Sequence, residues 1–275
     1  MTTSETYLDE LNALDARMRA RFDQNHAPCD QVFRKAFAHL TWTITHVEIH
    51  QHRRQITAAA LTSRVLQHAH AVHGLIRTGN TPSAEVVMRS MLESIFAVAA
   101  LARDENFEEG NDLFLRLRYK AEYSDARNIK KFLGSSQTLA LSARQVMEQR
   151  LLKREAWLKA NSQYKMKSVA DLAAAADMFD FYEREYALQS KTTHSDLDGV
   201  LNAHANFRSG KVALTAVIPS HESAVALTAQ VVNALMVTAT ALANLFDLKY
   251  PPEEVGRRED IAQSLDTFFK QATMQ

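Results

Sequence analysis

Apolar residues recur at intervals of three and four along nearly the whole chain, the spacing of helices that bury one face. A first helix is predicted over about Ser4 to Gln24, with Leu8, Leu11, Leu14 (or Asp15) and Met18 on one side. Pro28 breaks it. Helical spacing resumes at about Asp30 and runs to Arg77, too far for one ordinary helix, so a junction is expected near Arg53 to Thr57. Gly79-Asn80 closes that run, because both residues accept left-handed backbone. Thr81-Pro82 restarts the chain as N-cap and first helical residue.

From Pro82 to about Arg103 the pattern is apolar nearly all round, which places this helix in the middle of a bundle. Further helices are predicted over about Asn111 to Leu133 and Thr138 to Ala160, separated by Gly134-Ser135-Ser136. Ser168-Val169-Ala170-Asp171 has the capping-box arrangement and opens two short helices, Val169 to Asp177 and Met178 to about His194. The chain turns irregular from Asp196 to Ser220, where Lys211 to Ile218 reads as extended. An uncharged helix then runs to Phe246, and Pro251-Pro252 starts a last one ending near Gln271. The expected fold is an all-α bundle in a single domain spanning 1–275. Its parts are a peripheral N-terminal helix over 1–27, a core over 57–246 and a C-terminal helix over 251–272.

Composition agrees. Gly and Pro together make 12 of 275 residues, about a third of their usual share, which argues against sandwiches, barrels and propellers that turn on these residues. The 24 residues between Glu222 and Asp247 carry no charge and are long enough to span a bilayer. Gln230, Asn233 and four further polar residues dilute them, so a buried bundle helix is expected and no membrane association. Cys29 is the only cysteine and Met1 to Glu10 does not resemble a signal peptide, both in keeping with a cytoplasmic protein.

Polar residues standing where the pattern wants apolar ones are the candidate chemistry. Arg89 and Glu93 lie one turn apart on the apolar helix, flanked by Val86, Phe96 and Ala97. They read either as an ion pair fixing helix register or as part of a site. Tyr186, Ser190 and His194 follow at i, i+4 and i+8, on a stripe that starts in the core with Phe179 and Tyr182. Asp196 and Asp198 lie just beyond the imidazole. His194 reads as a hydrogen-bonded structural group or as an acid/base.

These two motifs resemble those of a widespread bacterial domain-of-unknown-function family. The first is carried by GNTPSAEVVMRSMLES, with Gly79-Asn80, Ala84, Arg89 and Glu93, and the second by YALQSKTTH, with Tyr186, Ser190 and His194. The resemblance covers roughly Thr57 to Leu245. It implies an all-helical fold in which these five polar residues converge, and it carries no activity with it. A broader likeness to the HEPN class of helical nucleases stays an analogy of fold. The four Arg-x4–6-His pairs (Arg19/His26, Arg21/His26, Arg34/His39 and Arg64/His70) are close to what chance placement gives, and Phe132 stands where the fuller motif begun by Arg127-Asn128 needs histidine.

Seven of the eleven histidines fall between His39 and His73. His46/His50 and His70/His73 have chelating spacing, but no Glu-x-x-His pair accompanies them and Glu48 is expected to point away from His46 and His50. Surface or interfacial histidines are therefore expected, with no metal and no cofactor.

The overall charge is zero but its distribution is uneven. From Arg116 to Lys167 thirteen basic residues face four acidic ones, interleaved with Tyr119, Tyr123, Phe132, Trp157 and Tyr164. Phosphate backbones favour such surfaces and aromatic rings stack on unpaired bases. Arg116, Arg127 and Lys130, with Tyr186 and Ser190, are the candidate ligand contacts. His194, Arg89 and Glu93 are the candidate catalytic group, His194 exchanging the proton, Arg89 stabilising phosphate charge and Glu93 orienting Arg89.

The leading expectation is a bacterial protein binding or acting on a phosphate-rich ligand, RNA above all, in the manner of a metal-independent ribonuclease of toxin or phage-defence type. A homo-oligomer is expected. One alternative is a non-enzymatic scaffold or sensor with a structural polar network, and another is a metal-dependent enzyme using the histidine-rich helices. No glycine-rich phosphate loop, Gly-x-Ser-x-Gly elbow or Cys-x-x-Cys pair is present.

Overall fold

A computed structural model describes residues 4–50, 53–103, 111–135, 140–165, 168–186, 205–208, 211–214 and 221–273. The fold is an all-α bundle. Its helices are α1 (Ser4–Asn25), α2 (Ala27–His46), α3 (Arg53–Arg77), α4 (Thr81–Arg103), α5 (Asn111–Ser135), α6 (Leu141–Ala160) and α7 (Val169–Ala175). A single turn α8 (Phe179–Phe181) follows and widens into a π-helical turn over Tyr182–Tyr186. Strands β1 (Ala205–Arg208) and β2 (Lys211–Leu214) pair antiparallel, with Phe207 opposite Val212, before α9 (His221–Leu245) and α10 (Pro252–Thr273).

The helices α4 and α9 form the buried central pair. On α4, Met88, Met91, Leu92, Ile95, Phe96, Val98 and Leu101 are all fully buried. Val232, Leu235 and Leu242 of α9 meet them, and α2 and α3 close the layer with Phe33, Leu40, Val65 and Ile76. Each such side chain contributes about 1.5–3 kcal/mol by leaving water. Ala224–Leu245 is long and apolar enough by composition to cross a membrane, and most of its apolar stretch is buried here against the bundle. Ile261 carries α10 into the same core, mainly over α2.

Local chemistry accounts for the helix ends. Gly79 has φ 79°, and the bonds Gly79 N–H to Ile76 O and Asn80 N–H to Leu75 O complete a Schellman stop. Asn80, rather than Thr81, is the N-cap of α4: its Oδ1 accepts from Ser83 N–H at 3.3 Å, and its carbonyl takes the first helical bond from Ala84. Ser168 caps α7 as expected, accepting from Asp171 N–H at 3.2 Å.

Four other expectations shift. The break expected at Pro28 falls two residues earlier, at His26, and Pro28 itself sits in the first turn of α2, where a missing N–H costs little. The α2–α3 junction opens earlier than expected, at Val47, where α2 ends in a run of β-branched residues and the chain turns extended, and α3 begins at Arg53. Helix α5 continues through Gly134, which adds no steric demand in its last turn. The helix expected from Met178 to His194 is one α-turn followed by the π-turn, and residues beyond Tyr186 up to 204 lie outside the described ones.

Candidate functional site at the α4–α5–α8 junction

Arg89 and Glu93 leave α4 on the side where it is least covered, with Val86 43% exposed one turn before them. The chain from α7 lays Phe181, Tyr182 and Tyr186 against Phe96, with ring centroids 6.2–6.4 Å apart. That packing delivers Tyr186 to the two charged residues. Its hydroxyl donates to Glu93 Oε1 at 2.9 Å, and the Arg89 guanidinium stands over its ring at 4.6 Å. Burial pushes the phenol up to about 12; the Glu93 carboxylate adds to the rise and hydrogen bonding to Arg89 opposes it. Tyr186 therefore stays protonated and donates.

The other Glu93 oxygen accepts from Lys120 Nζ at 3.0 Å. Lys120 belongs to α5, so the motif of α4 and the basic segment meet at one carboxylate. Glu93 thus ties Tyr186 to Lys120. Of the five residues expected to converge, Arg89, Glu93 and Tyr186 do; Ser190 and His194 lie outside the described residues, as do Asp196 and Asp198.

Along α5, Arg116, Lys120, Tyr123, Arg127 and Lys130 occupy positions i, i+4, i+7, i+11 and i+14, and so share one face about 21 Å long. Arg116 is half-buried and the other four are exposed. The opposite side of α5 packs on α6. There Arg154 pairs with Glu122 and, at 2.7 Å, with Asp125, while Arg118 stacks on Trp157 at 4.6 Å. Tyr119 also approaches Trp157, so both of these aromatics serve the hairpin, and Tyr123 and Phe132 are the exposed ones. The hairpin consumes Glu122 and Asp125, which leaves the basic face undiluted by them.

The histidines depart furthest from expectation. His39 and His73 are buried, not superficial. His39 Nδ1 meets Glu254 at 2.8 Å, and Arg257 meets the other oxygen at 2.6 Å. His73 stacks on Phe33, centroids 4.0 Å apart, and gives Nε2–H to Asp30 at 2.7 Å. Desolvation resists the Asp30 charge, but hydrogen bonds from Arg34 and His73 outweigh it and hold the carboxyl below its usual range. Cys29 beside it is no nucleophile, because burial pushes its thiol up to about 12. Glu48, expected to face away, approaches His50 at 3.9 Å since the helix has already ended. His46 stays exposed and folds back along α2 onto Trp42, stacking at 4.1 Å. Among the described residues no three His, Cys, Asp or Glu side chains gather as a metal would require.

Arg89, Glu93 and Tyr186, which the fold brings together, belong to the two motifs, and a known family spans both. Residues 55–211 match the family described as "Family of unknown function (DUF5677)". The chain belongs to DUF5677. The DUF5677 match runs from the first turn of α3 to the first residue of β2, and hence takes in Arg89, Glu93, Lys120 and Tyr186; α1, α2, α9 and α10 lie outside it. No curated protein and no solved structure gives a match.

Proposed function

We propose that the protein binds a phosphate-rich ligand, RNA being the favoured class, along the basic face of α5 and into the Arg89–Glu93–Tyr186 junction. The observation that carries this is the Lys120–Glu93 contact, which makes the basic face and the motif junction one continuous surface. Arg116, Lys120, Arg127 and Lys130 would neutralise successive phosphates, and Tyr123, 55% exposed, would stack on a base. Arg89 would take the phosphate that reaches the junction. If the bound strand is cut, His194 is the proton-transfer group and the RNA 2′-hydroxyl the nucleophile, with no metal needed.

The test is fluorescence anisotropy with a labelled single-stranded RNA. Arg127→Glu/Lys130→Glu should weaken binding at least tenfold, and equal affinity of wild type and variant would refute the reading. Incubation with RNA in EDTA, beside His194→Ala, decides catalysis. Equal cleavage by both, or none by either, removes the catalytic part alone.

A second reading has its own support. Tyr186 is 5% exposed and its hydroxyl is spent on Glu93, as in a joint that pins α8 to α4 without chemistry. On that reading Arg89→Ala lowers the melting temperature markedly while RNA affinity is nil.

A further inference from the structure

A hollow of about 330 Å³ opens where the C-terminal turns of α4 and α9 meet the end of α7, and every residue lining it is among the described ones. Ala99 and Ala102 of α4, Ala176 after α7 and Ala241 of α9 face it, with Met178, Met236 and Val237 beside them. A packed interior fills such a space with larger side chains. The volume lies at the small end of the range, about 300–1,000 Å³, in which proteins hold small molecules. The two methionines add walls that adapt to what they touch.

The end of α7 brings charge to the mouth. Met178 N–H bonds to Ala173 O at 2.8 Å and Asp177 N–H to Ala174 O at 3.0 Å, a Schellman stop with Asp177 at φ 53°, where glycine is the usual residue. The aspartate kept there pairs with Arg103, the last residue of α4, at 2.8 Å. Their side chains are 58% and 73% exposed, and an ion pair so open to water is weak. On α9 the Thr240 hydroxyl donates to Met236 O at 3.0 Å and accepts from Arg258 at 2.9 Å. Two guanidinium groups therefore serve the hollow against the one carboxylate that lines it.

We propose that this hollow binds a small monocarboxylate with an apolar chain. The chain lies among Ala99, Ala102, Met236 and Val237, and the carboxylate takes Arg103 from Asp177. A guanidinium fork matches the two oxygens of a carboxylate, and Asp177 returns to water at little cost. Arg103 stands 14 residues, about 21 Å, along α4 from Arg89, so the inference is independent of the RNA surface proposed above.

Isothermal titration calorimetry of the full chain with octanoate tests it, with 1-octanol and octylamine as neutral and cationic probes of the same length. Wild type should bind one octanoate per chain, at least tenfold more tightly than either of the others. Arg103→Ala should weaken octanoate binding at least tenfold. Asp177→Asn removes the competing carboxylate, keeps a residue that accepts left-handed backbone, and should tighten it. Ala102→Phe fills the hollow and should abolish binding. Circular dichroism melts check that this variant folds, and Arg103→Ala, at an exposed position, carries the test if it does not. Octanoate that fails to saturate wild type, or that binds Arg103→Ala or a folded Ala102→Phe as tightly as wild type, would overturn the proposal. So would equal or tighter binding of octanol or octylamine.

Discussion

His39 Nδ1 lies 2.8 Å from Glu254 Oε2, a residue 215 positions away, and both side chains are shut off from water. The contact joins α2 to α10. Tyr250 packs on the same imidazole and donates to Ala239 O at 3.0 Å, while its oxygen also meets Thr43 at 3.2 Å. Arg258 lies over Tyr250 at 5.0 Å. Desolvation outweighs the Glu254 carboxylate, and with Arg258 and Arg257 nearby it holds the His39 pKa below 6.5. The neutral ring donates from Nδ1, and its buried Nε2 has no partner to accept a second proton's hydrogen bond.

Acid should therefore loosen the bundle. His73 is depressed in the same direction, by burial first. A histidine whose folded pKa lies below its unfolded one contributes its full stability above the unfolded value and loses it as pH falls below that. Stability should thus be level above 6.5 and decline beneath it, by at most about 1.4 kcal/mol per pH unit for each histidine. Urea melts across that range check it. His39→Gln keeps a donor for Glu254 without titrating, and should flatten part of the slope.

Removing Glu254 should cost more than acid does. In Glu254→Ala the buried His39 N–H and the half-exposed Arg257 both lose their acceptor, a loss on the order of 2–3 kcal/mol. His39→Leu/Glu254→Leu should recover part of it, because two apolar partners leave no orphan on that axis. Thermal melts of the three proteins decide this.

Tyr186→Phe isolates the junction. The ring stays against Phe96 and under Arg89, and the hydroxyl's hydrogen bonds to Glu93 and Arg89 go. Glu93 is 36% exposed and keeps Lys120, so the cost should be about 1 kcal/mol, read as a modest fall in melting temperature. A fall several times larger would show that Tyr186 pins α8 to α4.

What the sequence could and could not reveal follows from the range of each interaction. The Schellman stop at Gly79 and the cap at Ser168 are local chemistry, and the all-round apolar pattern of α4 already implied its central place. The α2 terminus has no Gly or Pro to announce it, and one Gly in the last turn of α5 is too small a penalty, about 1 kcal/mol, to end a helix. Arg89, Glu93 and Tyr186 were legible as interruptions of apolar stripes. His39–Glu254 and Asp30–His73 were not, since no spacing rule relates residues on separate helices. The histidine cluster was visible; which members were buried depended on the partners.

The α5–α6 hairpin should open as a unit. Among the described residues α6 packs on α5 and little else, its buried apolar residue there is Leu158, and Arg154 is the cation that grips both Glu122 and Asp125. Arg154→Ala should raise hydrogen exchange along α6 while leaving α4 and α9 protected. Equal exchange in α6 of wild type and variant would show that the apolar contacts suffice.

Salt provides the last test, and it separates the basic face from the junction. Each phosphate neutralised on a single strand contributes about −0.7 to the slope of log K against log salt. Four cations on the α5 face predict a slope near −2.8 if all engage, by that same figure. Arg127→Ala/Lys130→Ala should reduce its magnitude by about 1.4, because two phosphate contacts are lost. Tyr123→Ala should weaken binding by about 1–3 kcal/mol and leave the slope alone, since stacking releases no counterions. Arg89 belongs to the junction, so Arg89→Ala should alter the slope by no more than a single contact. A slope unmoved by Arg127→Ala/Lys130→Ala would place the bound phosphates elsewhere on the molecule.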